Sequence, residues 1–196
     1  SEDKKARILS EALTLFSTQG YVATSLADIA RASDISKAGL LHHYSSKDQL
    51  LAAVLDERDR RIVSQLPRPE DGAEAALGAW VDMVAHNQHH PDGVALYTAM
   101  SAAVIDSKHQ AHPWFREHLI AAISYLVEAF EHGKTTGEVR EDAPSEQIAR
   151  RLVALSDGLQ VQWLCSRADG GRTLNMHEVM AGVAVDMKER WLIRSE

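Results

Sequence analysis

Apolar residues recur every three or four positions along almost the whole chain, a helical period rather than the alternation of strands. Ile8, Leu9, Ala12, Leu15 and Phe16 mark one face of a first helix, and Gly20 is placed to stop it. Thr24 or Ser25 caps a short second helix that turns Leu26, Ile29 and Ala30 inward, and Ser25 with Asp28 has the capping-box spacing. That helix fails near Ser33-Asp34. Ser36 caps a third short helix from Lys37 to His43. Ser46 with Gln49 opens a long one, 47–66, carrying Leu50, Leu51, Val54, Leu55, Ile62 and Leu66 until Pro67-Arg68-Pro69 ends it.

Five longer helices follow, at about 70–90, 93–107, 113–132, 145–168 and 175–193. Pro91, Pro113, the span from Gly133 to Gly137, Pro144, Gly170-Gly171 and an Asn175/Glu178 cap separate them. With no strand pattern, low-complexity tract or fixed-period repeat, the expected fold is all-α with about nine helices. It divides into a three-helix domain at 1–48 and a larger bundle at 49–196, linked by the helix at 47–66.

Composition narrows the class. A chain of 196 residues, 45% apolar and 25% charged, can bury a sizeable core. No apolar run is long enough to span a membrane and no signal peptide opens the chain, so a cytoplasmic protein with no membrane partner is expected. It begins at Ser1 rather than methionine, which leaves room for a native arm upstream. One cysteine, Cys165, excludes an intramolecular disulfide framework. The net charge of −7 is unevenly placed: residues 1–50 hold six basic and six acidic side chains, residues 67–196 twelve and nineteen. Only the first part is free of the acidic excess that repels nucleic acid.

Two short helices joined by a tight turn describe a helix-turn-helix, which lays its second helix in the major groove. Ala38 and Gly39 are small enough for close approach, Lys37 offers a cation, and Ile35 and Leu40 should pack against Leu26 and Ile29. Helical hairpins without a nucleic-acid role look similar, so spacing alone leaves both readings open.

The segment TSLADIARASDISKAGLLHHYSSKDQLLAAVL resembles the DNA-binding domain of the TetR family of bacterial transcriptional regulators, across roughly residues 5–55. Gly-Glu-Val-Arg-Glu-Asp at 137–142, a Pro144-led helix and Asp157-Gly158-Leu159 look like that family's C-terminal half. The resemblance implies a homodimer on double-stranded operator DNA, most often a repressor, released when a small-molecule effector enters the larger domain. It also implies that Thr24 and Ser25 bond a phosphate, that Lys37 touches backbone or a base edge, and that Lys47 meets a phosphate. Ala38 and Gly39 lie at the DNA, His42 is the expected direct contact, and His43 and Tyr44 serve backbone contact and packing. Leu41 departs from the pattern, since many members carry a phosphate-binding tyrosine there. Ser33-Asp34 replaces a common Ala-Gly, and Asp tolerates a left-handed turn better than most residues.

Other chemistries compete weakly. His42 and His43 point about 100° apart and cannot readily chelate one metal. His86, His89 and His90, or Asp106, His109, His112 and His118, could gather ligands, but helix-end histidines also suit the helix dipole. No HExxH, nucleophile elbow or glycine-rich strand-to-helix loop is present, and Cys165 reads as core. No catalytic residue, metal site or cofactor is expected.

The scarce aromatics favour the larger domain. Trp80, Met83, Tyr97, Met100, Trp114, Tyr125 and Trp163, with His86, His118 and Gln160 as polar groups, are expected to line a mostly apolar pocket for a neutral, aromatic or cationic ligand. Leu152, Leu155 and Leu159, with Val179, Val183 and Met187, recur at helical spacing, and the resemblance assigns these two helices to the dimer interface.

Overall fold

Side-chain caps start the helices where their spacing places them. Ser25, Ser36, Ser46 and Asn175 each accept a hydrogen bond from the backbone N–H three residues on. Between Thr24 and Ser25, the cap is Ser25, whose N–H and O–H both donate to the Asp28 carboxylate. In a computed structural model describing residues 2–109, 111–168 and 173–193, the order is α1 (Glu2–Gln19), α2 (Leu26–Ala32), α3 (Lys37–His43), α4 (Lys47–Val63), α5 (Ala73–Gln88), α6 (Pro91–Ser101), α7 (His112–Thr136), α8 (Ser145–Ala168) and α9 (Met176–Trp191). Short 3-10 turns at Pro69–Asp71 and Ala102–Ile105 precede α5 and follow α6. Among the described residues, the all-α class and the nine helices are as expected. No helix among the described residues is long and apolar enough to cross a membrane.

Three boundaries move for physical reasons. α7 continues through Gly133 and stops only at Gly137, whose φ is 78°. Gly133 is a packing residue instead: a Cβ there would lie 2.5 Å from Val139 Cγ2. α5 starts at Ala73 rather than near 70, because Gly72, at φ 104°, turns the chain first. α6 gives way to a 3-10 turn after Ser101, short of the expected 107. Gly170-Gly171 lies outside the described residues.

The chain forms two compact units, neither of them one continuous stretch: residues 1–64 with 90–115, and 65–89 with 116–196. In the first, Ile8 and Phe16 of α1, Ile29 of α2, Leu40 of α3 and Leu50, Leu51, Val54 and Leu55 of α4 share one core with Leu96 and Tyr97 of α6 and Phe115. The boundary expected after residue 48 therefore falls inside this unit, because α4 and α6 both pack on α1.

In the second unit α5 packs along α9, with Trp80, Phe130, Ile148, Trp163 and Met180 among the buried side chains. Glu138 fixes the start of α5: its carboxylate accepts from the N–H of Ala73 at 2.9 Å and of Glu74 at 2.8 Å. An antiparallel bridge pairs Val139 with Leu192.

Candidate nucleic-acid interface

The turn between α2 and α3 is a Schellman motif. Asp34 takes the left-handed conformation at φ 55°. The N–H groups of Asp34 and Ile35 bond the carbonyls of Arg31 and Ala30. This rotates α3 so that Leu40 is fully buried while Lys37, Ala38, Leu41 and His42 form one outward stripe. Gly39 is half-buried, and a Cβ there would crowd the Ser36 hydroxyl at 3.3 Å.

His43 is half-buried beside His42, with ring centroids 5.8 Å apart. Desolvation, then the positive fields of His42, Lys5 and Lys4, hold its imidazole below the usual range. The positive field of Lys4 and Lys5 on α1 thus reaches the end of α3, which no local spacing reveals.

Several expected DNA contacts face elsewhere. Thr24 is 1% exposed, and its hydroxyl donates to the Gly20 carbonyl at 2.9 Å, with the Leu15 carbonyl at 3.2 Å, at the end of α1. Lys47 also turns inward. Its ammonium lies 2.8 Å from the Tyr21 carbonyl, 3.0 Å from that of Thr24 and 3.4 Å from that of Val22. It also sits 4.4 Å from the Tyr21 ring centroid. The Tyr21 hydroxyl donates to the neighbouring Asp48 carboxylate, and burial together with that carboxylate pushes the phenol well above its ordinary pKa. In this structure Lys47 therefore clamps the α1–α2 turn. Tyr44 is buried in the core, and burial and the Glu57 charge raise its phenol. Ser25 remains exposed, its hydroxyl shared with Asp28.

The residues expected to line one ligand pocket divide between the units. Tyr97, Met100 and Trp114 belong to the first, where Tyr97 packs against Phe115 at 5.1 Å and Trp114 donates to Asp56. Trp80, Met83, His86, His118, Tyr125, Gln160 and Trp163 belong to the second. There the Trp80 indole donates to Ser156, whose hydroxyl donates to the Leu152 carbonyl. The Tyr125 hydroxyl and Gln160 Oε1 are buried with no hydrogen-bond partner. Burial and the Asp71 charge push the Tyr125 phenol up to about 12.

Part of the expected dimer stripe is taken up inside the protomer. Leu152 and Leu159 are buried within the protomer and Leu155, Val183 and Met187 half-buried, whereas Val179 is exposed. The outward face carries Ala154, Gly158 and Val161 on α8 and Val179, Gly182 and Val185 on α9. A Cβ at Gly158 or Gly182 would meet nothing within 4 Å. Cys165 lies on this outer side and is exposed, a correction to its reading as core. No group of three or more His, Cys, Asp or Glu side chains converges as a metal cage among the described residues.

Residues 8–54 match the family described as bacterial regulatory proteins, tetR family. Over 177 residues the chain is 23% identical to the HTH-type transcriptional repressor AcnR of Corynebacterium diphtheriae, covering 90% of this chain and 87% of the relative. Its fold is similar to that of a TetR transcription regulator from Haloarcula marismortui, at TM-score 0.80 and 22% identity over 98% of this chain and all of that one. It is also similar to a transcriptional regulator from Saccharomonospora viridis in complex with choline, at TM-score 0.73 and 21% identity over 99% and 100% of the two chains. From the cap at Ser25 to the clamp at Lys47, this geometry falls within the segment that matches the TetR family of bacterial regulatory proteins.

Proposed function

We propose that this chain is a sequence-specific transcriptional regulator rather than an enzyme, acting in the cytoplasm as a homodimer and released from its operator by a small molecule. The observation that carries the reading is α3. Its buried side is fixed by Leu40, while Lys37, Ala38, Leu41 and His42 stand outward after a well-formed turn. A helix held this way can enter a major groove, and the positive field that Lys4 and Lys5 set at its end favours phosphate.

Two such helices must address grooves ~34–36 Å apart or a multiple of that, which requires a twofold partner. The small-residue face of α8 and α9, around Gly158 and Gly182, suits close packing with a second copy. The AcnR relative is a repressor, and repression is proposed here.

For the effector, the unpartnered Tyr125 hydroxyl and Gln160 Oε1 offer polar handles amid the aromatic interior of the second unit. An indole or phenol face there attracts cations. A cationic or neutral aromatic ligand is therefore favoured, and choline, carried by the Saccharomonospora regulator, is the first compound to test. Effector and operator act against each other only through differential affinity, so each must weaken the other by the same factor.

The test is to mix the protein with sheared genomic DNA from its source, recover bound fragments and sequence them. Enrichment of a few near-palindromic sites supports the regulator. Failure to enrich any, with dimeric folded protein at moderate salt, would favour a ligand-binding protein whose head no longer reads DNA.

A further inference from the structure

We propose that α3 reads thymine by its methyl group, with Leu41 as the reading side chain. The inference rests on the regulator reading above and specifies the DNA chemistry of the same site.

The outward stripe of α3 is chemically unusual for base readout. α3 has the sequence KAGLLHH and contains no Arg, Asn or Gln. It therefore lacks the amides that pair bidentately with adenine and the guanidinium that pairs with guanine, so Lys37 is its one group for reading guanine. Lys37 and His42 supply polar contacts only at the ends of the stripe. Its centre is apolar: Leu41 is 40% exposed, although its neighbour Leu40 is fully buried, and Ala38 is exposed one turn earlier.

The only apolar feature on a base edge in the major groove is the C5-methyl of thymine. A leucine side chain set against it separates T·A from C·G and from the reversed A·T pair, neither of which presents that methyl at the same place. Ala38 lies about 4.5 Å before Leu41 along the helix axis, three residues at 1.5 Å each. One base step is ~3.4 Å, so Ala38 faces the neighbouring pair, where a second thymine methyl fits its small side chain. The half-site is thus expected to hold a thymine opposite Leu41, with thymine favoured beside it.

The experiment uses the intact protein and a duplex selected from a randomised pool. Each thymine of the half-site is replaced in turn by deoxyuridine, which removes the methyl and keeps base pairing. The wild-type protein should lose about fourfold in affinity at one thymine per half-site, the effect of one buried methyl. The Leu41→Ala protein should bind the parent duplex more weakly and no longer distinguish thymine from deoxyuridine at that position. Because Leu41 is outside the core, this variant should keep the wild-type melting temperature. If deoxyuridine is tolerated everywhere, or if Leu41→Ala retains the discrimination, the proposal is overturned: Leu41 then packs on sugar or stands idle. If selection yields no site at all, the regulator reading itself fails, which is a different result.

Discussion

Replacing Lys47 by methionine removes the ammonium and keeps most of the aliphatic stem, so it isolates what the charge does. The ammonium accounts for two good hydrogen bonds to carbonyls, at 2.8 and 3.0 Å, and a longer one at 3.4 Å. Bonds to a charged donor contribute about 1.5–3 kcal/mol each, and the Tyr21 ring adds about 0.5–1 kcal/mol. Ordering a lysine costs up to about 2 kcal/mol, and the site is only half-buried, which screens the charge. A net loss of about 2 kcal/mol follows, or about 4–8 °C in melting temperature for a chain of this size. Operator affinity should fall as well, because the α1–α2 turn shifts. The slope of log affinity against log salt should stay unchanged, since no phosphate contact is lost. A direct phosphate ligand predicts the opposite pair of results: an unchanged melting temperature and a slope reduced by about one per contact removed. Thermal melting and a salt titration of operator binding decide between them, and the second pattern would refute the clamp.

The same geometry makes further predictions. Glu138→Ala should destabilise by about 1–2 kcal/mol in urea unfolding and speed hydrogen exchange at Ala73 and Glu74, since it uncaps α5; unchanged exchange there would argue against the cap. Asp34→Gly should stabilise by about 0.5–1 kcal/mol, because the backbone at φ 55° strains any side chain, and a loss measured by thermal melting would contradict this. The Asp28 carboxyl is held below its ordinary pKa by hydrogen bonds from the Ser25 side chain and backbone and by Arg31. Its contribution is therefore present above the unfolded carboxyl value of about 3.9 and lost as pH falls through the lower folded value; Asp28→Asn should lose less stability over that acid interval, as pH-dependent melting would show. Gly158→Arg should give a monomer by light scattering with protomer stability kept, because nothing lies within 4 Å of its Cβ; a surviving dimer would move the interface elsewhere.

The parts of this fold that were legible in the sequence are those made by local bonds. Ser25, Ser36, Ser46 and Asn175 satisfy amides three residues away, so spacing suffices to find them. The same holds for Leu40, whose inward direction follows from helical period. What was not legible depends on partners distant in sequence. Thr24 and Lys47 look available for phosphate until the carbonyls of the α1–α2 turn claim them. Gly133 looks like a stop because spacing cannot show Val139 folding back against it. On α8, helical spacing correctly finds an apolar stripe, but Leu152 and Leu159 are buried in the protomer. The face left outward is the less apolar one at Ala154, Gly158 and Val161, which hydrophobicity alone overlooks.

The first unit draws its core from both sides of α5, since Leu96, Tyr97 and Phe115 join residues that end at 64. On a ribosome the reading head therefore cannot finish folding when its own four helices have emerged. It waits for about fifty more residues, about 3–10 s at ordinary elongation rates, with the side of α1 that packs on α6 uncovered. The same discontinuity sets a rule for engineering. A head cut after residue 64 and grafted onto another sensor would carry an exposed apolar face, so a transplant needs α6 and Phe115, or a substitute surface designed to take their place.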